Sequence, residues 1–235
     1  MSSFVRKILR GEEGGTQEQT IPLCPYCKQA LEQRPQRKKK CPFCKNFIYA
    51  RTLPSTRAKV LATEAEAKKI DAEWAGVHFQ NEWLDSLEQY GVTKRDFELH
   101  KRRLSEESGR EPSDEDVIGS LLGNLAAKTR DLQKRKMIYY EIALFLDQQG
   151  KDPFEALQQS ARMDLMKFKK DGFVRRVSIL TAGQDSCEVC RRLQGRVLTI
   201  EEALEKMPIP CRECAHRMHD EDRGFCRCRY AAEIE

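Results

Sequence analysis

Cysteine spacing constrains this chain more than any other feature of its sequence. Of ten cysteines, four sit near the start, as Cys24-Pro-Tyr-Cys27 and Cys41-Pro-Phe-Cys44. The other six fall within residues 181–230: Cys187, Cys190, Cys211, Cys214, Cys226 and Cys228. Whether such spacings mean disulfides or metal depends on the compartment. The opening MSSFVRKILRGEEGG has no apolar core of signal-peptide length. The most apolar segment, residues 137–146, is short and carries Glu141, so no membrane span is expected. A cytoplasmic location follows as the expectation, and there thiols stay reduced. Reduced cysteines at CxxC spacing read as zinc ligands.

The first four cysteines follow the pattern C-x2-C-x13-C-x2-C. Each CPxC pair forms a tight knuckle whose backbone amides point at the sulfurs. Two knuckles brought together give a closed tetrahedral site of four thiolates, with Zn–S of ~2.3 Å. The β-prone run Asn46-Phe-Ile-Tyr-Ala-Arg-Thr52 follows, as in a ribbon. This spacing resembles the zinc-ribbon family over residues 21–59. A redox dithiol is the other reading of CxxC, but it needs a βαβ setting that the sequence lacks. Structural zinc supplies about 10–16 kcal/mol in small modules, more than so small an apolar core can.

Between the knuckles lies Arg34-Pro-Gln-Arg-Lys-Lys-Lys40, so the expected ribbon tip is cationic. Residues 1–59 hold 13 Lys/Arg against 4 Asp/Glu, a net +9. The middle, 60–172, holds 18 against 22, and the remainder is balanced at 11 against 11. The formal +5 of the whole chain is therefore an N-terminal property. A patch of this kind suits nucleic acid or another polyanion, with Arg34, Arg37, Lys38, Lys39 and Lys40 as the candidate contacts. The plainer reading is a solvated loop. Tyr26, Phe43, Phe47 and Tyr49 stand close by in sequence. They either stack on bases or pack a mini-core around the metal.

Residues 60–172 read as a helical domain. Thr63 with Glu66, Thr93 with Asp96, and Ser113 with Asp116 are capping-box patterns. Apolar residues recur at helical spacing after each, and Gly91, Gly109, Gly150 and Gly172 mark stops. A restart near Arg130 is one option for the long third segment; a continuous helix is the other. Asp152-Pro-Phe-Glu155 starts the last helix, with Pro153 expected at its first position. Four or five helices in an orthogonal bundle are expected. His78 and His100 read as isolated structural histidines.

Residues 173–235 form a small α+β module. The runs 173–182 and 196–198 are β-prone, and Thr199 with Glu202 caps a short helix that Pro208 and Pro210 end. Cys187 and Cys190 are the surest ligands of its metal site. Two more come from Cys211, Cys214, Cys226 and Cys228, with His216 and His219 as outsiders. Two thiols are then left over, to be absorbed by shared thiolates or by a second site using histidine. Arg191, Arg192, Arg212, Arg227 and Arg229 are placed to screen the negative charge of zinc bound by four thiolates.

Asp185, Cys187, Cys190, Leu193, Gly195 and Val197, then Cys226-Arg-Cys228, follow a pattern that resembles the closing motif of the phage head-morphogenesis (Mu-type minor head protein) family. The likeness spans about 45 of the 235 residues. Cys211 stands near the place of a histidine in that family, and residues 214–225 are an added stretch. The resemblance implies a related zinc knuckle and a role in head assembly.

Pro210-Cys-Arg-Glu-Cys214 also matches half of the zinc deaminase signature. That chemistry needs a His/Cys-x-Glu segment upstream. The only His-x-Glu segment, His219-Asp-Glu221, lies downstream. A catalytic zinc also needs an open coordination position, which thiolate-rich sites seldom keep.

The expected class is thus mainly α: a flexible leader at 1–20, a zinc ribbon at 21–59, a helical bundle at 60–172 and a cysteine-rich zinc module at 173–235. About two zinc ions are expected, one per cysteine group. The expected function is that of a non-enzymatic adaptor contacting nucleic acid or an assembly partner. A head-assembly accessory acting through protein contacts, and a zinc hydrolase or deaminase, are the alternatives.

Overall fold

The computed structural model describes residues 21–215 and 225–233. The expectations for residues 1–20, His216 and His219 therefore lie outside the described residues, as does the segment 219–221. The described chain forms two compact units that divide between Glu82 and Trp83. It is mainly helical, with two small antiparallel sheets of three strands each.

The first unit opens with two knuckles of the same build. The run Cys-Pro-Tyr-Cys-Lys at 24–28 returns as Cys-Pro-Phe-Cys-Lys at 41–45. Lys28 and Lys45 both sit at φ 60, in the left-handed region. Each lysine amide donates to the carbonyl of its first cysteine, Cys24 at 3.0 Å and Cys41 at 3.1 Å. Each ammonium returns to its proline, Lys28 to Pro25 and Lys45 to Pro42. These side-chain bonds help hold a backbone conformation that a non-glycine residue adopts at some cost.

The sheet of this unit runs β1 (Lys39–Lys40), β2 (Phe47–Thr52) and β3 (Lys59–Ala62), with β2 central. Pairing matches Lys40 with Phe47 and Tyr49 with Ala62. Lys39 and Lys40 are thus strand residues, and the connection between knuckle and strand is carried by residues 32–38. The chain must be extended to enter the second knuckle at Cys41, and that extension pairs with β2. β3 begins at Lys59, so residues 60–62 also belong to this sheet. Ile48 turns inward onto Cys24, Leu31 and Cys41, and that small cluster is the core of the knuckle pair. Helix α1 (Glu64–Glu88) starts at Thr63, whose backbone N–H donates to Glu66 at 2.8 Å. Its Ala67 and Ile70 close over Ala62, and the Trp74 indole donates to the Thr52 carbonyl at 2.7 Å.

In the second unit, α2 (Lys94–Ser108), α3 (Asp114–Lys128), α4 (Leu132–Gln148) and α5 (Phe154–Asp171) pack successively, α4 against α5 most extensively. Thr93 and Ser113 are the N-caps of α2 and α3, with both halves of each capping box present. The third segment restarts. Asp131 caps α4 by accepting from the Lys134 amide at 2.7 Å. Pro153 sits one place earlier than expected, at the N-cap of α5, with Phe154 the first helical residue. The Asp152 carboxylate takes up the Phe154 amide there.

Strand β4 (Arg176–Leu180) lies between β5 (Val197–Thr199) and β6 (Arg229–Glu233). The four-residue helix α6 (Glu188–Arg191) precedes β5, and α7 (Ile200–Lys206) follows it from a capping box on Thr199. One core binds this sheet to α5 and α7. Leu165 of α5 lies in it with Val177, Ile179, Leu198, Ala203 and Tyr230, and with Cys190, Cys211 and Cys214. The cysteine module is therefore built onto the last long helix.

Candidate metal centres and a basic aromatic face

The four N-terminal sulfurs all lie within 4.8 Å of one another. Cys24 and Cys44 are 3.8 Å apart, Cys27 and Cys41 3.9 Å. A tetrahedron with metal–sulfur bonds of ~2.3 Å has an edge of ~3.8 Å. The knuckles thus set the sulfurs at the spacing a four-coordinate zinc-like ion requires. The Asn46 side-chain amide lies 3.7 Å from the Cys44 sulfur and orients it. Burial raises the Cys41 thiol, but the amides of Cys44 and Phe43 outweigh it and bring it down to about 7. At Cys27 the Gln29 amide lowers the thiol, while burial and the three neighbouring cysteines push it up to about 11. Without metal, the group shares protons among sulfurs that a thiophilic cation would displace.

The second centre gathers residues far apart in sequence. Cys187 opens α6 and Cys190 lies within it. Cys211 and Cys214 stand on one turn, closed by the Cys214 amide donating to Cys211 at 3.1 Å. Cys226 and Cys228 lead into β6. Two triads of sulfurs form: Cys187, Cys190 and Cys214, and Cys190, Cys211 and Cys226. The separations Cys187–Cys214, Cys190–Cys214, Cys190–Cys211 and Cys190–Cys226 are each 3.7 Å. Cys228 interacts with both Cys226 and Cys190. All six candidate ligands of this module are therefore together.

Here too charge is unequally shared. Hydrogen bonds from the Cys211 and Cys228 thiols hold Cys226 far below the usual thiol range. The same bonds, with burial, drive Cys211 and Cys228 far above it. Burial raises the Cys187 thiol, but the Cys190 and Ala215 amides bring it down to about 7. Burial pushes Cys190 up to about 11. All ten cysteines are free thiols.

Phe225 positions the last two cysteines. It is buried against Ala143 of α4 and Ala156 of α5, edge-on to Tyr140 at 6.1 Å. Nothing in its spacing marks it in the sequence; only its place directly before Cys226 hints at an anchor. Among the described residues, three of the five arginines near the cluster pair with carboxylates. Arg192 meets Glu188, Arg227 meets Asp185 at 3.7 Å, and Arg212 meets Asp152 at 3.2 Å. Arg212 also lies 4.2 Å over the Phe154 ring. Their charge is therefore only partly free to screen thiolates.

On the first unit, cations and rings share one face of the sheet. Lys38 lies 4.6 Å over Phe47 and 5.0 Å over Tyr49, and Lys40 lies 6.0 Å from Phe47. The period of two along β2 puts Phe47, Tyr49 and Arg51 on that face and Ile48 on the other. Phe43 is 57% exposed and Phe47 47%. Neither packs into the mini-core, which Leu31 and Ile48 fill instead. Tyr26 is different: its hydroxyl accepts the Glu64 amide at 2.8 Å, at the start of α1. Arg34, Arg51, Lys59 and Trp74 line a shallow groove. In it Arg34 donates to the Lys59 carbonyl, and Arg51 forms a two-pronged pair with Asp71 at 2.7 and 3.0 Å. Arg37 and Lys39 are exposed.

No helix among the described residues is long and apolar enough to cross a membrane. No family model matches the chain, and no similar curated protein or solved structure is found.

Proposed function

We propose that the chain is a zinc-stabilised, non-enzymatic adaptor whose N-terminal ribbon contacts nucleic acid. The supporting observation is the exposed Phe47 ring with the ammonium groups of Lys38 and Lys40 beside it, and Phe43 exposed nearby. Half-exposed rings with ammonium groups over them offer a stacking platform and phosphate contacts together. In this reading zinc is structural in both modules. The thiolate sets favour it over harder cations, and ten free thiols suit a reducing compartment such as the cytoplasm.

Non-specific affinity of about 10⁻⁴ to 10⁻⁶ M is expected, falling steeply with salt. Replacing Arg37, Lys38, Lys39 and Lys40 together by Gln should flatten the salt slope by about three to four units if all four meet phosphates. Phe47→Ala should weaken single-strand binding by about 1–3 kcal/mol, the range for one lost stacking contact. Because Phe47 lies outside the core, circular dichroism should be unchanged. Fluorescence anisotropy on single- and double-stranded DNA and on RNA reads both effects. Parental binding by both variants would refute the nucleic-acid reading.

A second reading, an assembly accessory of the phage-head type, draws support from the second centre. The two halves of the resembling motif, Cys187 with Cys190 and Cys226 with Cys228, meet there across intervening chain. Co-purification with portal or capsid proteins encoded beside it would favour this reading.

A further inference from the structure

We propose that the C-terminal cluster holds two metal ions bridged by the Cys190 thiolate, so that the intact chain carries three. The inference rests on the zinc reading of the cysteine modules and goes beyond it in number and connectivity. Cys190 belongs to both sulfur triads, and no other cysteine does. From it, Cys211, Cys214 and Cys226 all stand at 3.7 Å, the edge of a metal–thiolate tetrahedron, with Cys214 in one triad and Cys211 and Cys226 in the other. One metal ion accepts four such neighbours, whereas six sulfurs converge here. Cys187 joins Cys190 and Cys214 on one side; Cys211 and Cys226 join Cys190 on the other, with Cys228 adjoining.

Ligand counting agrees. Two four-coordinate ions need eight donor places. Six sulfurs supply them if two bridge: Cys190, and one of Cys211, Cys226 and Cys228. The charge is also reasonable. Two divalent ions with six thiolates leave a net charge of about −2, the same as one ion with four. A single ion would leave either a more negative buried cluster or two unligated thiols in an apolar core. Cys190 and Cys214 are 1% and 2% exposed, so surplus thiolate charge there is poorly solvated.

The test uses the full-length protein, metal-exchanged with cadmium-113 under reducing conditions. Native mass spectrometry should count three ions per chain. Cadmium NMR should give three resonances, one isolated and two that share coupling to the same Cys190 methylene protons. Cys190→Ser should lower the count from three to one, since both C-terminal ions lose a ligand. The coupling is read on the unaltered protein, so it decides even if that variant misfolds. A count of two, or three signals with no shared cysteine, overturns the bridge and leaves the zinc-module reading standing. No ion in the C-terminal cluster overturns both.

Discussion

His100 shows how a residue that reads as merely structural in sequence acquires defined chemistry. It is 8% exposed in α2, with one ring nitrogen 2.8 Å from the Ser120 hydroxyl. The Arg103 guanidinium, 3.2 Å away, donates to the other nitrogen, which must then be an acceptor. Burial lowers its pKa below 6.5, and the positive charge of Arg103 lowers it further. A depressed histidine binds its proton later in the folded state than in the unfolded one. The stability it contributes is therefore complete above about 6.5 and declines as pH falls from there toward the folded value. An NMR titration of the imidazole should place His100 below 6.5; a midpoint above that would remove the case for a neutral, acceptor-bearing ring. Phe225 is the other telling residue. Phe225→Ala empties a buried site between α4 and α5 and should cost about 3–5 kcal/mol. A thermal or denaturant melt showing a loss of less than about 1 kcal/mol would mean that the entry to Cys226 is held by something else.

Among the elements, those with a local chemical signal were legible in sequence. Thr93–Asp96, Ser113–Asp116 and Thr199–Glu202 announce helix starts because a cap is a contact between near neighbours, and all three boxes form. The knuckles were legible for the same reason. The strands β1, β3 and β6 were not, since a short strand is defined by its partner. Lys39 and Lys40 look like part of a solvated basic run until β2 pairs with them. Arg229–Glu233 has no β-rich pattern and becomes a strand because β4 offers it an edge. The start of α4 was legible only as one of two options, because Asp131 competes with a sequence that could continue a helix. Phe173, at 95% exposure, shows the converse: a β-prone residue left outside any strand. In the C-terminal site the six cysteines that gather were readable from spacing as candidates. The central place of Cys190 was not, because it arises only when the α6 knuckle, the 211–214 turn and the β6 lead-in converge.

At the scale of the molecule, metal bound at the two cysteine groups would substitute for apolar volume unequally in the two units. The knuckle core holds Cys24, Leu31, Cys41 and Ile48, half of it cysteine, and has little else to sustain it. The C-terminal cysteines instead join a core shared with α5, β4 and α7. Loss of metal should therefore unfold the ribbon locally while the long helices persist. The most direct test of this account is zinc content under non-chelating, reducing conditions, measured on the intact chain and on Cys24→Ser. The account predicts at least two zinc ions in the parent, a loss of one in the variant, and unchanged helical circular dichroism. One ion or none in the parent, or a variant that loses every ion and its helices together, would contradict it.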